Sequence, residues 1–292
     1  MPELPEVETI ARGVAKRVTG DVVDSVWLGQ KKEPLKSPAA AIAAALEGSR
    51  IASVRRMGKH IVFDLERSAA TGELRPRGKR SAAKRPTGAS VLTKAQFIVH
   101  LGMTGRLQVC EPTDDIAKHT HAVLKLASGR ELRFVDPRRF GRLSVAVAAD
   151  FDAGGYEPLE IDRDNFVRLF RGRKTPLKSA LLNQKLLRGV GNIYADESLF
   201  RAGIRPRRRA HTVPRQKLEE LFTGLQEVLK EAIVLGGSSV SDYVDADGEE
   251  GFFQLQHRVY GREGEPCLVC KTPIKRIVIA GRSSHYCPKC QE

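Results

Sequence analysis

Residues 266–290 read PCLVCKTPIKRIVIAGRSSHYCPKC, and the cysteines of this stretch decide how the end of the chain folds. Two CxxC pairs, separated by sixteen residues, supply four thiols: Cys267, Cys270, Cys287 and Cys290. This spacing is typical of a tetrahedral zinc site with four thiolate ligands, and the alternatives are two disulfides or an accidental cluster. The residues between the pairs read as two short strands around Ala280 and Gly281, with Arg282 near the tip of the hairpin. Because four cysteines leave no open position for a substrate, we predict one structural zinc ion.

The charge of the whole chain indicates a polyanionic partner. The 292 residues carry a formal net charge of +14, and nucleic acid is favoured over a membrane surface because the chain has no long basic amphipathic helix. The first twenty residues contain acids and no apolar core segment, so they do not read as a signal peptide, and no later run is long enough to span a bilayer. The fifth cysteine, Cys110, stands alone. This use of cysteine predicts a reducing, cytoplasmic location.

The first half of the chain reads as a helix followed by strands. The helix is expected to end at Gly20, and alternating apolar residues with glycine-containing turns then predict a β-sandwich or barrel-like domain over residues 1–150. Residues 67–94 interrupt this pattern with eight basic residues against the single acidic Glu73, and they predict a disordered basic insert. This segment carries half of the net charge of the chain, so the other residues together are still positively charged.

A helical period begins at about Asp162 and predicts a second domain over residues 151–256, followed by the zinc finger over residues 257–292. The fold class is therefore α+β. Residues 186–197, LLRGVGNIYADE, place glycine-rich turns between two helices, and their backbone amides are candidates for gripping phosphate, although such a hairpin often serves packing alone. Arg188 in this stretch has no explanation from the sequence.

The first residues, MPELPE, allow a structural and a chemical interpretation. Proline followed by acids suits the first turn of a helix. If Met1 is removed, however, Pro2 becomes a free secondary amine, and an α-amino group titrates near ~8, so part of it is an unprotonated nucleophile at neutral pH. Such an amine can attack an aldehyde-like carbon and form an iminium.

Seven segments, PELPEVET, GKH, HLGMTGRL, DPRRFG, GVGNIYADE, VYGREGEPC and GRSSHYCPKCQ, together resemble the bacterial formamidopyrimidine-DNA glycosylase family. The resemblance spans the chain except the basic insert. It implies a base-excision repair enzyme with a helix-two-turn-helix domain that removes oxidised purines from double-stranded DNA, chiefly 8-oxoguanine and formamidopyrimidines, and then cleaves the abasic strand by β,δ-elimination. It also implies a monomer in the bacterial cytoplasm, associated with the nucleoid.

The resemblance assigns roles to individual residues. Pro2 would be the nucleophile, Glu3 the acid/base, Lys59 a phosphate contact that assists proton transfer, and Arg282 a contact to the phosphates flanking the lesion. Glu6 would orient the helix end or simply complement its dipole. Met103, Arg138 and Phe140 would fill the gap that the extruded nucleotide leaves in the DNA stack. The residues expected to contact the DNA backbone are His119, Arg173, Lys178 and Asn192. Residues 236–253 correspond to the family's lid over the extruded base.

Two features depart from the family, and two other functions stay open. The basic insert is longer than usual, and we expect it to add non-specific DNA affinity through counterion release. Arg188 occupies a position where small or apolar residues are common. The alternatives are an endonuclease VIII-like glycosylase for oxidised pyrimidines, and a catalytically silent zinc-containing DNA-binding protein.

Overall fold

The computed structural model describes residues 1–68, 92–240 and 243–292. The elements of its N-terminal part are α1 (Leu4–Val18), β1 (Val23–Leu28), α2 (Ala39–Leu46), β2 (Arg50–Met57), β3 (His60–Ser68), β4 (Leu92–His100), β5 (Arg106–Cys110), β6 (Thr120–Leu126), β7 (Glu131–Val135) and β8 (Arg142–Ala146). Those of its C-terminal part are α3 (Arg163–Phe170), α4 (Leu177–Leu181), α5 (Asn192–Arg201), α6 (Arg215–Val234), β9 (Lys275–Ile279) and β10 (Arg282–Tyr286).

The N-terminal strands form a sandwich of two antiparallel sheets, as the alternating pattern predicted. Their strand orders are β1-β6-β7-β5 and β2-β3-β4-β8. The apolar side chains that alternate along these strands meet in one buried cluster with α1 and α2, which includes Phe63 and Phe97 from one sheet and Phe134 from the other. Burial of this shared face holds the sheets together.

Helix α1 belongs to both halves of the molecule. Its apolar residues recur three or four positions apart, so one face is buried along its length. Leu4 packs in the core of the helical domain, whereas Val7 and later residues pack in the sandwich core. The helix ends at Val18, two residues before Gly20. The proline of its first turn is Pro5, because Pro2 precedes the N-cap residue.

The sandwich topology brings two turns side by side. Residues 101–105 lead from β4 in one sheet to β5 in the other, and residues 136–141 lead back from β7 to β8. His100 at the end of β4 pairs with Arg142 at the start of β8, and the strands at the other ends of the turns are paired as well. The two crossings must therefore run together along one edge of the sandwich.

Two features of the N-terminal part differ from the sequence predictions. Helix α2 was not predicted because its sequence, AAAIAAAL, is apolar at every position and shows no period, although Ile42 and Leu46 are buried. Strands β3 and β4 also extend into the predicted insert, since Arg67 pairs with Thr93. The prediction of disorder for residues 69–91 lies outside the described residues.

The helical domain has its own core, in which α3 to α6 bury apolar residues such as Tyr194 and Phe253. Asp162 begins α3 by accepting a hydrogen bond from the Asn165 N–H. Strands β9 and β10 form the predicted hairpin at the C-terminus, with Ala280 and Gly281 in its turn. No helix in the described ranges combines the length and the apolarity needed to cross a membrane.

Candidate active site and DNA interface

A cavity of about 970 Å³ lies where the N-terminus, the β2–β3 turn, the α4–α5 turns and the zinc hairpin meet. These parts are distant in sequence, yet the cavity gathers six of the predicted site residues: Pro2, Glu3, Lys59, Met103, Asn192 and Arg282. The remaining predicted DNA contacts do not line it. A cavity that combines an acid, a lysine and an arginine offers groups for proton transfer and for binding phosphate.

Pro2 lies on the wall of this cavity, directly before the N-cap residue Glu3 of helix α1. Pro2 is buried, whereas Met1 is 47% exposed. In the full chain the nitrogen of Pro2 is an amide. Removal of the exposed Met1 would convert it to an amine at the edge of the cavity.

Glu3 is a buried acid whose surroundings favour its protonated form. Its Oε1 accepts a 3.1 Å hydrogen bond from the Ile193 N–H, whereas its Oε2 has no hydrogen-bond partner among the described residues. Burial raises the pKa of Glu3 to about 7, and the charge of Lys59 opposes part of that rise. A carboxyl group with this pKa is partly protonated at neutral pH and can act as a general acid.

The glycine-rich turn before α5 brings the helix end against Glu3. A Cβ at Gly191 would lie 2.2 Å from the Glu3 carboxyl carbon, and one at Gly189 would lie 2.9 Å from the Cβ of Leu4. Only glycine permits these approaches. The N–H of Ile193 is thus engaged by Glu3, which differs from the expectation that the amides of this stretch grip phosphate.

Glu6 joins three separate segments at the cavity. Its carboxylate accepts hydrogen bonds from the Tyr194 hydroxyl at 2.5 Å and from the N–H groups of Ser238 and Glu3, each at 2.8 Å. Burial raises its pKa, and the hydrogen bonds oppose that rise. Glu6 therefore fixes the end of α1 against α5 and against the predicted lid. The Tyr243 hydroxyl also connects this lid segment to α1, because it lies 3.4 Å from the carbonyl of Glu6, and it donates within the segment to the carbonyl of Gly236.

Lys59 and Arg282 approach the cavity from two hairpin turns. Lys59 follows Gly58 in the β2–β3 turn and is buried; burial lowers the pKa of its ammonium group, and the charges of Glu3 and Glu6 oppose that change. Arg282 is exposed and follows the hairpin turn of Ala280 and Gly281, whose φ angles are 48° and 75°. Two positive φ angles are typical of a tight two-residue hairpin, which holds Arg282 at its tip as predicted.

The two crossing turns carry the residues expected to fill the DNA stack. Met103 and Phe140 are 37% and 50% exposed, and the Arg138 guanidinium lies 4.9 Å from the centre of the Phe140 ring. Asp136 was not predicted as a site residue; it is fully buried and accepts hydrogen bonds from the Thr104 hydroxyl at 2.6 Å and the Gly141 N–H at 2.7 Å. Asp136 thereby ties one turn to the other, and its place in the DPRRFG motif was the available signal.

The predicted backbone contacts divide into exposed and buried residues. His119 and Arg173 are exposed, and the carbonyl of His119 accepts a hydrogen bond from the Asp136 N–H, so His119 flanks the stack-filling turn. Lys178 is fully buried: its ammonium group lies 2.7 Å from the Asp196 carboxylate and donates to the Ser283 carbonyl at 2.5 Å. Both partners are internal, so this structure does not present the charge of Lys178 at the surface, and its contact with phosphate stays a prediction.

Helix α5 holds the zinc hairpin through residues that were not predicted to be functional. Asp196 accepts a 2.9 Å hydrogen bond from the His285 N–H, in addition to its ion pair with Lys178. Glu197 accepts from the consecutive N–H groups of residues 258–260. The amide of Asn192 donates to the Ser283 hydroxyl at 3.3 Å. Two adjacent acids in the helical segment NIYADE were the signal, because buried carboxylates require such partners.

The four predicted zinc ligands converge. The sulfur atoms of Cys267, Cys270, Cys287 and Cys290 all lie within 4.8 Å of one another, with two pairs at 3.4 and 3.9 Å. A zinc ion about 2.3 Å from each of four tetrahedral sulfurs would place them roughly 3.8 Å apart, so the residues fit this metal.

Three family models match the chain. They are the formamidopyrimidine-DNA glycosylase N-terminal domain over residues 1–143, the formamidopyrimidine-DNA glycosylase H2TH domain over residues 155–244, and the zinc finger found in FPG and IleRS over residues 264–292. Among curated relatives, the formamidopyrimidine-DNA glycosylase of Solibacter usitatus is 42% identical and that of Gluconobacter oxydans is 40% identical, each with 100% of both chains covered.

Solved structures agree with these matches. The MutM (Fpg) protein from Thermus thermophilus superimposes with a TM-score of 0.80 at 39% identity, covering 99% of this chain and 98% of that chain. The wild-type Lactococcus lactis Fpg in complex with DNA containing N7-benzyl-Fapy-dG gives a TM-score of 0.84 at 29% identity, with 100% of both chains covered.

Proposed function

Because this chain belongs to the formamidopyrimidine-DNA glycosylase family, it is a DNA glycosylase for oxidised purines and an abasic-site lyase, and we propose that Pro2, Glu3, Lys59 and Arg282 carry the reaction. The observation that carries the assignment is the placement of a protonatable Glu3 directly after Pro2, on the wall of a cavity that also contains Lys59 and Arg282.

The amine of Pro2, once Met1 is removed, attacks C1′ of the damaged nucleotide. The C1′–N bond breaks and the oxidised base leaves with the bonding electrons. In the same displacement the C1′–O bond of the sugar ring opens as Glu3 protonates the ring oxygen, and the amine proton passes to the departing base. The product is an iminium between Pro2 and C1′, which acidifies the protons at C2′. Removal of a C2′ proton expels the 3′ phosphate, and a second elimination expels the 5′ phosphate.

Glu3 protonates the sugar ring oxygen as the C1′–O bond opens. Its pKa of about 7 makes the required acid form available at neutral pH, and the single hydrogen bond from the Ile193 N–H leaves its other oxygen unpartnered among the described residues. Lys59 contacts phosphate and assists proton transfer, for which a lowered pKa is suited. We expect base release to slow as the pH rises above about 7, because Glu3 then loses its proton.

The chemistry at C1′ requires the nucleotide to leave the duplex. Extrusion costs a few kcal/mol, and the exposed side chains of Met103 and Phe140 replace the lost stacking. Arg138, stacked on Phe140, is placed to donate hydrogen bonds to the acceptors of the orphaned cytosine.

We assign the contacts with the DNA backbone to four residues: His119, Arg173, Asn192 and Arg282. His119 and Arg173 are exposed, while Asn192 and Arg282 line the cavity. Lys178 acts indirectly, because its bonds to Asp196 and Ser283 hold the zinc hairpin that presents Arg282. The four cysteines bind one structural zinc ion, which keeps this hairpin folded.

The enzyme acts as a monomer on chromosomal DNA in the bacterial cytoplasm. The cavity gathers Pro2, Glu3, Lys59 and Arg282, so the proposed chemistry needs no group from a second copy. Support for the compartment comes from the four-thiolate zinc site, since thiolates persist in reducing surroundings.

A lesion panel tests the proposed function. Duplexes containing 8-oxoguanine opposite cytosine, a formamidopyrimidine or an oxidised pyrimidine are incubated with enzyme, and base release and strand cleavage are measured separately. We expect the purine lesions to be excised fastest and both steps to be lost in Glu3→Gln. Faster excision of the pyrimidine would indicate an endonuclease VIII-like preference, and binding without excision of any lesion would indicate a silent DNA-binding protein.

A further inference from the structure

A cluster of ionised side chains lies between the two domains, beside the turn that carries Lys59. Arg56 of β2 makes a 2.7 Å contact with Glu8 of α1 and two contacts, of 2.7 and 3.0 Å, with Glu157, near the start of the second domain. Arg188 reaches the same Glu157 carboxylate at 3.3 Å. The side chains of Arg56 and Glu157 are only 7% and 5% exposed, so the cluster is largely shielded from water.

Arg188 also touches the Lys59 turn directly. A Cβ placed on Gly58 would lie 3.0 Å from the Cβ of Arg188, so the stem of this arginine packs against the backbone just before Lys59. Gly58 has a φ of +59°, and its carbonyl accepts a 3.3 Å hydrogen bond from Arg56. The ion cluster thus holds both sides of a turn that glycine alone adopts without strain.

The residues that follow Arg188 hold Glu3. The carbonyl of Gly189 accepts a 3.0 Å hydrogen bond from the Leu4 N–H, and the Ile193 N–H donates to Glu3. One short segment, residues 188–193, therefore contacts the Lys59 turn at its beginning and the Glu3 carboxylate at its end.

We propose that Arg188 and Glu157 are positioning residues for Lys59, which set its distance from Glu3 by fixing the β2–β3 turn against residues 188–193. The proposal rests on the proposed role of Lys59 in the reaction. It gives Arg188 a function in a position that the sequence left unexplained. A displacement of about 1 Å at a reacting group can slow a reaction by as much as ~100-fold, so a structural contact of this kind has a measurable kinetic effect.

Arg188 can be replaced without leaving an unpaired buried charge, because Glu157 keeps its two contacts with Arg56. We therefore compare Arg188→Ala, which removes the stem and the charge, with Arg188→Lys, which retains both in part. Single-turnover base release from an 8-oxoguanine·cytosine duplex and the Kd for the same duplex are measured. We expect Arg188→Ala to lower the rate constant roughly 5- to 30-fold, with Kd unchanged within about 2-fold and partial rescue in Arg188→Lys.

A double-mutant cycle separates positioning from general stability. In a Lys59→Met background, Arg188→Ala should cause no further loss of rate, because the group it positions is gone. Arg201→Ala is the matched control: Arg201 is 11% exposed and pairs with Glu231 at 2.5 Å within the helical domain, so its loss should leave the rate constant unchanged.

Equal losses from Arg188→Ala in both backgrounds, or no loss in the wild-type background, would overturn the proposal. If Lys59→Met itself does not slow base release while the wild type is active, the role of Lys59 is wrong and the proposal falls with it. If the wild type does not release the base at all, it is the proposed function that fails.

Discussion

At the scale of single residues, the proposed acid Glu3 lowers the stability of the folded state at neutral pH. Its pKa of about 7 means that the folded state disfavours ionisation of this carboxyl group, whose ordinary pKa is 4.5. The folded protein binds a proton more tightly than the unfolded chain between these values. Stability due to this group is therefore complete below pH 4.5 and is lost as the pH rises toward 7.

Glu3→Gln should stabilise the protein at neutral and alkaline pH while abolishing base release. The gain grows between about pH 5 and 7 and reaches at most about 3 kcal/mol above pH 7, because the amide cannot ionise. Denaturant unfolding of both proteins from about pH 5 to 8.5 measures the difference. Parallel stability curves over this range would contradict the raised pKa.

Phe140→Ala should slow excision by roughly 5- to 30-fold, equivalent to about 1 to 2 kcal/mol, because no large side chain replaces the extruded base. The loss should shrink when the lesion lies in an unpaired bubble, where extrusion is easier. Trp27→Ala is the control, since Trp27 is similarly exposed at 52% but lies in β1, the edge strand on the opposite side of its sheet from β5. Equal effects on paired and unpaired lesions would argue against stack filling.

Sequence motifs located Pro2, Glu3 and Lys59 along the chain, and the cavity shows that folding brings them together. The motifs could not show that Lys178 is buried, because its partner Asp196 lies on another helix and its second partner lies in the zinc hairpin. They left Arg188 unexplained for the same reason. Pairing between distant residues depends on tertiary packing, which local pattern does not record.

At the scale of elements, the hairpins and glycine turns were the most predictable parts. The strands of the zinc hairpin follow from alternation and cysteine spacing, which are local signals. Helix α2 escaped prediction because a uniformly apolar segment has no period. The sequence also could not predict that the two crossing turns are adjacent, because their position depends on the strand order of two separate sheets.

Cys287→Ser should remove the zinc ion and weaken binding to a damaged duplex, because the hairpin that presents Arg282 loses its support. Zinc content per chain and duplex Kd provide the measurement. Cys110→Ser is the matched control, because Cys110 lies in β5 and is not among the clustered thiols. A Cys287→Ser protein that retains wild-type duplex affinity would separate the hairpin from DNA binding.

At the scale of the whole molecule, helix α1 links the two domains at the proposed reaction centre. Its first residue packs in the helical core and its later residues in the sandwich core, while the Glu6 carboxylate binds α5 and the predicted lid. The proposed nucleophile, Pro2, is thus held where both domains meet. Ser238 and Tyr243, on either side of residues 241–242, connect the lid segment to this junction through hydrogen bonds to Glu6.

Deletion of residues 69–91 should make DNA binding less sensitive to salt. The segment carries six basic residues and one acidic residue, and each phosphate contact it supplies adds about 0.9 to the slope of log K against log salt concentration. Undamaged duplex affinity is measured between about 50 and 200 mM salt. An unchanged slope would show that the insert does not contact DNA.

The central claim is that Pro2 is the nucleophile. The most direct measurement incubates enzyme with an 8-oxoguanine·cytosine duplex and borohydride, which reduces an iminium to a stable amine, and then locates the cross-link by peptide mass spectrometry. We predict a covalent adduct on Pro2 of a chain that lacks Met1. An adduct on Lys59 or another lysine, or none from correctly processed, zinc-loaded enzyme that cleaves the same duplex, would contradict the account.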